Sequence, residues 1–287
     1  MDAVSGAGED RGVGEARGAG EDRYDGEARY DGEARYDARG LVELDEVIPR
    51  ISEIEGDHAT LDAHDLTTRR INLELRWLLY EQGIRRVTVL NPGARHSLGA
   101  GILTRCEITF QGSLGYFACG IIDGPEVHIT GRVGWSACEN MMSGVVTIDG
   151  NAGSLMGAGL RGGDVVVKGQ VGSRTGIVQK GGTIIVLGSA GSMTGFMMQR
   201  GRQILCGDVG PGLGDSMYEG TIYVAGKVSS LGIDCVPGEL GDADTELIER
   251  KFRIHELGSP PAFEKFVCGK KLYNYDNLEP SERKLVL

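Results

Sequence analysis

One glycine returns seven times at an unbroken interval of nineteen residues: Gly112, Gly131, Gly150, Gly169, Gly188, Gly207 and Gly226. A second column follows three positions later, from Gly115 to Gly210, with Ser229 in its last place. A third runs Gly144, Gly163, Gly182, Gly201 and Gly220. Self-similarity at a fixed period of this size marks one small unit stacked on itself. Relative to the anchor glycine, positions −4 and −2 are apolar in nearly every coil: Ile108/Phe110, Val127/Ile129, Val146/Ile148, Val165/Val167, Ile184/Val186 and Ile222/Val224. Gln203, beside Leu205, breaks the rule. Position +2 is apolar throughout: Leu114, Val133, Ala152, Val171, Ala190, Val209 and Val228. Alternation over four residues, a glycine turn and one more inward residue describe a short strand and a corner. Stacked in register, such units build a parallel β-helix with coils about 4.8 Å apart. Glycine suits the corners because positive φ costs it little and the backbones pass closely there. The hexapeptide type of β-helix needs a multiple of six, which nineteen is not.

The chain around the repeats divides into four stretches. Residues 1–40 are low complexity, with YDGEAR at 24–29 and 30–35, eleven acids, six arginines and little to form a core; they predict a disordered tail. Residues 41–105 predict an α+β lead-in. There Ile71, Leu75, Leu78 and Leu79 recur at helical spacing after Thr67 and Thr68, and RVTVL at 86–90 alternates like a strand before Asn91-Pro92-Gly93. The repeats fill 106–234. Residues 235–287 form a C-terminal arm, with a helix expected over Asp242–Leu257, capped by Asp242 or Asp244, and a strand at KKLYNY, 270–275. Such an arm would close the open end of the solenoid, where unpaired strand edges otherwise stand exposed.

Composition excludes several partners. A net charge of −11 argues against a nucleic-acid backbone or an anionic membrane surface. The N-terminus carries acids where a signal peptide needs a basic stretch, and no apolar run approaches the roughly 20 residues of a membrane span. The six cysteines (106, 119, 138, 206, 235 and 268) form no CxxC pair, so reduced thiols in the cytoplasm are expected.

Several motifs resemble chemistry. Gly157, Gly159 and Gly162 spell GxGxxG, but a dinucleotide site needs a helix next, and the repeat puts a strand there. Cys119 and Cys138 share a phase, within disulfide range if the coils are in register; a ladder of small residues is the simpler reading. Glu139, Asp215 and Asp234 share the next phase and predict an outward loop, with a basic group on a partner or a cation as alternatives. The outward strand positions turn from polar to apolar along the chain, ending in Val166, Ile185, Leu187, Ile204 and Tyr223. A free face would stay polar, so something covers this one: the arm folded back, or another subunit. These five residues are the candidate partner interface.

With the repeats laid out, the chain resembles the GXGXG domain, the C-terminal β-helix of the large subunit of glutamate synthase. The matching segments are GPGLG at 210–214, CENMMSGVVTIDGNAG at 138–153, GDSMYEGTIYVAGKVSSLGIDC at 214–235 and KKLYNYDNL at 270–278. The free-standing form of that domain, as in N-methylglutamate synthase-type complexes, is the nearest. The resemblance implies a right-handed, single-stranded β-helix of seven coils, mainly β, with small α+β segments at both ends. It also implies a subunit with no catalytic, cofactor-binding or metal-binding residues of its own. Its partners would be a class II glutamine amidotransferase-like subunit and an FMN-binding, glutamate synthase-like subunit that holds FMN and an iron–sulfur cluster. The chain would scaffold the two sites and shield ammonia. Met1 is followed by Asp2 rather than the N-terminal cysteine nucleophile of the amidotransferase, and the three-cysteine cluster motif is missing. A second reading is the β-helical subunit of a formylmethanofuran dehydrogenase or formyltransferase/hydrolase complex, which shares the GXGXG repeats. A third is a plain structural solenoid without an enzymatic partner.

Overall fold

The structure is a computed structural model and describes residues 52–269. In chain order it contains β1 (Ser52–Glu55), β2 (His58–Asp62), α1 (Thr68–Arg76) running into a wide π turn at Trp77–Glu81, and β3 (Arg86–Leu90). Then come β4 (Glu107–Gln111), β5 (Asp123–Ile129), β6 (Ser143–Ile148), β7 (Asp164–Val167), β8 (Lys180–Val186), β9 (Arg200–Leu205), β10 (Val209–Leu213), β11 (Thr221–Val224) and β12 (Val228–Leu231). The arm supplies β13 (Cys235–Gly238), α2 (Asp242–Ile254) and β14 (Glu264–Cys268). The expected tail and the KKLYNY strand lie outside the described residues.

From β2 to β9, and then β11, each strand pairs in parallel with the next. The fold is the expected right-handed parallel β-helix, with about 8 turns; right-handed connection is the strong preference for parallel strands joined by a crossover. Strand positions match across coils as the period requires: Val127, Val146, Val165 and Ile184 follow one another in register. The ladder also runs past the glycine columns into the lead-in, where His58 pairs with Arg86 and Arg86 with Glu107. Those first turns are longer than nineteen residues, and one carries α1, so the period hides them. Thr67 caps α1 by accepting from the Arg70 N–H at 3.2 Å.

Two separate demands explain the glycine columns. At the anchor column the demand is close approach. A Cβ on Gly188 would stand 2.6 Å from the Gly169 carbonyl oxygen, and φ is positive only at Gly112. At the column of Gly144, Gly163, Gly182, Gly201 and Gly220 φ is positive, where other residues are strained. The wall between these corners alternates. Leu155 donates to Ser173 O in the following coil, Gly157 to Ala137 O in the preceding one, Gly159 forward to Ile177 O and Arg161 back to Met141 O. This seesaw places three residues per coil at positive φ, for example Phe117, Cys119 and Ile121.

Inward residues fill one continuous core running from Ala59 to Phe266. In its middle, Ile184 Cδ1 occupies the space a Cβ on Gly157 would take, and Ile222 Cδ1 that of Gly195. The same 27-residue offset sets Gln203 against Gly176. Gln203, the exception to the apolar rule, is fully buried and donates to Gln179 Oε1 at 3.0 Å. Gln179 in turn donates to the carbonyls of Gly181, Gly182 and Arg202, so the polar insertion is tied to backbone.

The arm ends the ladder. β14 pairs antiparallel with β11 and carries β13 on its other side, the far edge of the sheet among the described residues. Pro237 on that edge and Glu53 and Glu55 on β1, the opposite edge, discourage pairing with another chain.

Candidate functional site: interaction surfaces of the solenoid

The outer strand face changes character where the sequence says it does. Thr60, Thr88, Thr109, His128 and Thr147 stand in one register and are polar. The next positions, Val166, Ile185, Ile204 and Tyr223, form a second small core with Ile248 and Phe252 of α2, and Leu187, Cys206, Leu247, Leu257 and Phe263 pack against it. The first four are at most 1% exposed. The candidate partner interface is therefore corrected: α2 covers Val166, Ile185, Ile204 and Tyr223, and half-buried Leu187 borders the same cluster.

Two polar pins hold α2 down. Asp164 on β7 accepts from Lys251 Nζ at 2.6 and 2.7 Å, and its other contact is His255 Nε2 at 2.9 Å. Burial alone would raise the Asp164 pKa, but the bonds to His255 and Lys251 outweigh it and hold the carboxyl below its ordinary value. At the other pin, the Tyr223 hydroxyl donates to Asp244 Oδ1 at 2.7 Å and Lys265 Nζ approaches Oδ2 at 2.8 Å. Burial, then the Asp244 bond, pushes the Tyr223 phenol well up. Asp244 also accepts from the Gly241 N–H, so Gly241 rather than an aspartate occupies the cap position of α2.

A group of exposed apolar side chains lies elsewhere, on the wall of the first coils. Tyr116 is 42%, Phe117 50%, Ile121 57% and Trp135 55% exposed. His96, Tyr116 and Trp135 sit at one phase of successive coils and stack, with centroids 4.5 and 5.4 Å apart and planes inclined by 13° and 21°. His96 Nδ1 accepts from the Tyr116 backbone N–H at 2.9 Å, which fixes the ring at the end of the stack. Beyond Trp135 the column continues with Ser154, Ser173 and Ser192, so the rings end in a step. The signal in the sequence is an aromatic residue directly after a second-column glycine in two successive coils. Attention to strand positions alone misses it.

The remaining motifs resolve locally. The GxGxxG of 157–162 leads into β7, not a helix. Cys119 and Cys138 are fully buried, and burial pushes the first thiol up to about 12 and the second well above its ordinary value. Asp215 accepts from the Ser216 hydroxyl and the Ile233 N–H, and Glu139 from Asn140. Among the described residues no group of three His, Cys, Asp or Glu is placed to hold a metal ion. On the polar half of the strand face Asp149 lies 2.9 Å from His128 Nε2 and 2.8 Å from Lys168 Nζ, a cross-coil ion ladder. Among the described residues no helix is long and apolar enough to cross a membrane.

No known family model matches the chain, and no curated protein does. A solved structure does. The X-ray structure of the formyltransferase/hydrolase complex (FhcABCD) from Methylorubrum extorquens, in complex with methylofuran, contains a similar chain. The TM-score is 0.51 at 20% identity, over 74% of this chain and 87% of that one. The shared feature is the fold. The expected partner pair, a class II glutamine amidotransferase-like subunit and an FMN-binding subunit, is corrected by this finding, because the neighbour belongs to a formyltransferase/hydrolase assembly. FMN and the iron–sulfur cluster belonged to that expected pair.

Proposed function

We propose that this chain is the β-helical subunit of a multi-subunit formyltransferase/hydrolase-type complex in the cytoplasm. Its GXGXG columns supply the scaffold, and the chemistry on a formyl-carrying cofactor lies in the partner subunits. The supporting observation is the likeness to a chain of such a complex over 87% of that chain's length. On this reading the partners seat on the wall at Tyr116, Phe117, Ile121 and Trp135, where solvated rings are held in a rigid stack. Aromatic anchors of low conformational entropy are what interface centres are built from. The chain holds no cofactor of its own, which the absorption spectrum of the purified subunit checks.

The test is recovery of the full-length tagged chain from its own host, with mass spectrometry of what accompanies it. Subunits able to transfer or hydrolyse a formyl group are expected. Recovery of the chain alone, or with proteins that handle no one-carbon carrier, overturns the reading. The double variant Tyr116→Asp, Trp135→Asp should lose its partners while its Tm as an isolated chain stays within about 2 °C of the parent, as surface substitutions do.

A further inference from the structure

The end of the solenoid carries two thiols that face each other. Cys235 on β13 and Cys268 on β14 are register partners in an antiparallel pair. The Gly269 N–H donates to the Asp234 carbonyl at 2.7 Å, a bond between the residues that flank this pair. That pattern marks a non-hydrogen-bonded pair, in which the Cα atoms approach to about 4.5 Å and the side chains are at their closest. The separation falls inside the range a disulfide spans without backbone movement. Both side chains turn to the same core, Cys235 within it and Cys268 packed against it. Gly214 makes the room: a Cβ there would stand 2.8 Å from Cys235 Sγ.

We propose that Cys235 and Cys268 are an oxidation site whose disulfide staples β13 to β14. The two thiols differ in access. Cys235 is 5% exposed and burial pushes its thiol up to about 11, whereas Cys268 is half-buried and its Sγ lies 3.1 Å from the Met217 carbonyl. Cys268 therefore meets the oxidant first. With oxidised glutathione, the Cys268 thiolate attacks one glutathione sulfur, the glutathione S–S bond breaks, and one glutathione leaves as a thiol. The Cys235 thiolate then attacks the Cys268 sulfur of the mixed disulfide and releases the second glutathione. The protein thiols are oxidised by two electrons, the glutathione disulfide is reduced by two, and two protons pass to the leaving thiols. Cys119 and Cys138, also neighbours in register, are fully buried and stay outside this chemistry.

Incubation of the full-length chain with oxidised glutathione, followed by alkylation under denaturing conditions and peptide mapping, tests the proposal. A peptide linking Cys235 to Cys268 is expected, removed by dithiothreitol, with a Tm several degrees above the reduced form. In Cys235→Ser, a glutathione adduct should persist on Cys268 because the resolving thiol is gone. Full alkylation of both residues after oxidant, or a dominant cross-link through Cys206, overturns the proposal. So does an adduct on Cys268 of the parent chain that never resolves.

Discussion

At a corner of this solenoid a glycine is required by its neighbour more often than by its own torsion angles. The anchor column shows it: the Gly188 α-carbon lies so close to the Gly169 carbonyl that a methyl group would need the coils to separate. Gly188→Ala should cost about 1–3 kcal/mol or more, the usual range for overpacking, read as a lower midpoint in chemical denaturation. Inside the lumen the trade is one of volume. Gly157 and Gly195 face isoleucines, whereas 27 residues after the larger Cys119 and Cys138 the sequence has the smaller Val146 and Val165. Gly195→Ala should therefore destabilise the chain, and Ile222→Val should recover part of that loss, because the methyl removed is the one in the way. Strain from the positive φ would remain, so the recovery is partial; a double-mutant cycle measures the coupling. The sequence displays the cysteine-to-glycine change in this column. Its reason is legible only once the 27-residue offset across the lumen is known.

Among the elements, α2 decides how the strand face is used. A helix over 242–257 is legible from Leu247, Ile248 and Phe252, and the observed span begins at the same residue. The apolar outward row is legible too, but one chain cannot say whether its own arm or another protein lies on it. The answer rests on contacts between residues 87 and 91 positions apart, Asp164 with Lys251 and His255. Ile204→Asp should lower the stability of the isolated chain by about 3 kcal/mol or more, since it buries an unpaired charge beneath α2. The pin also predicts an acid limit. The carboxyl of Asp164 titrates below its ordinary 3.8 in the folded chain, so its contribution is complete above 3.8 and is lost as pH falls through the lower folded value. Hydrogen exchange across α2 should quicken in that acid window, and Asp164→Asn should abolish the dependence while exchanging faster at neutral pH.

Across the whole molecule, the repeat is written in the glycine spacing, whereas the first turns are not, because the insertion carrying α1 breaks the period. The exposed stack of His96, Tyr116 and Trp135 lies on the wall between the glycine columns, away from the strand positions that carry the periodic signal. The ends matter as much as the middle. A ladder of like strands has no intrinsic length, and here the reversal at β14 supplies one. A chain cut before α2 should lose its monomer peak in size-exclusion chromatography, because β11 would offer an uncovered edge to the next molecule. The footprint of α2 across β7, β8, β9 and β11 makes the solenoid intolerant of arithmetic. Duplicating one complete nineteen-residue coil within 165–220 would satisfy every local rule. It would nonetheless carry Asp164 about 4.8 Å away from Lys251 and His255, so that a lengthened molecule would have to give up either its clasp or its added turn.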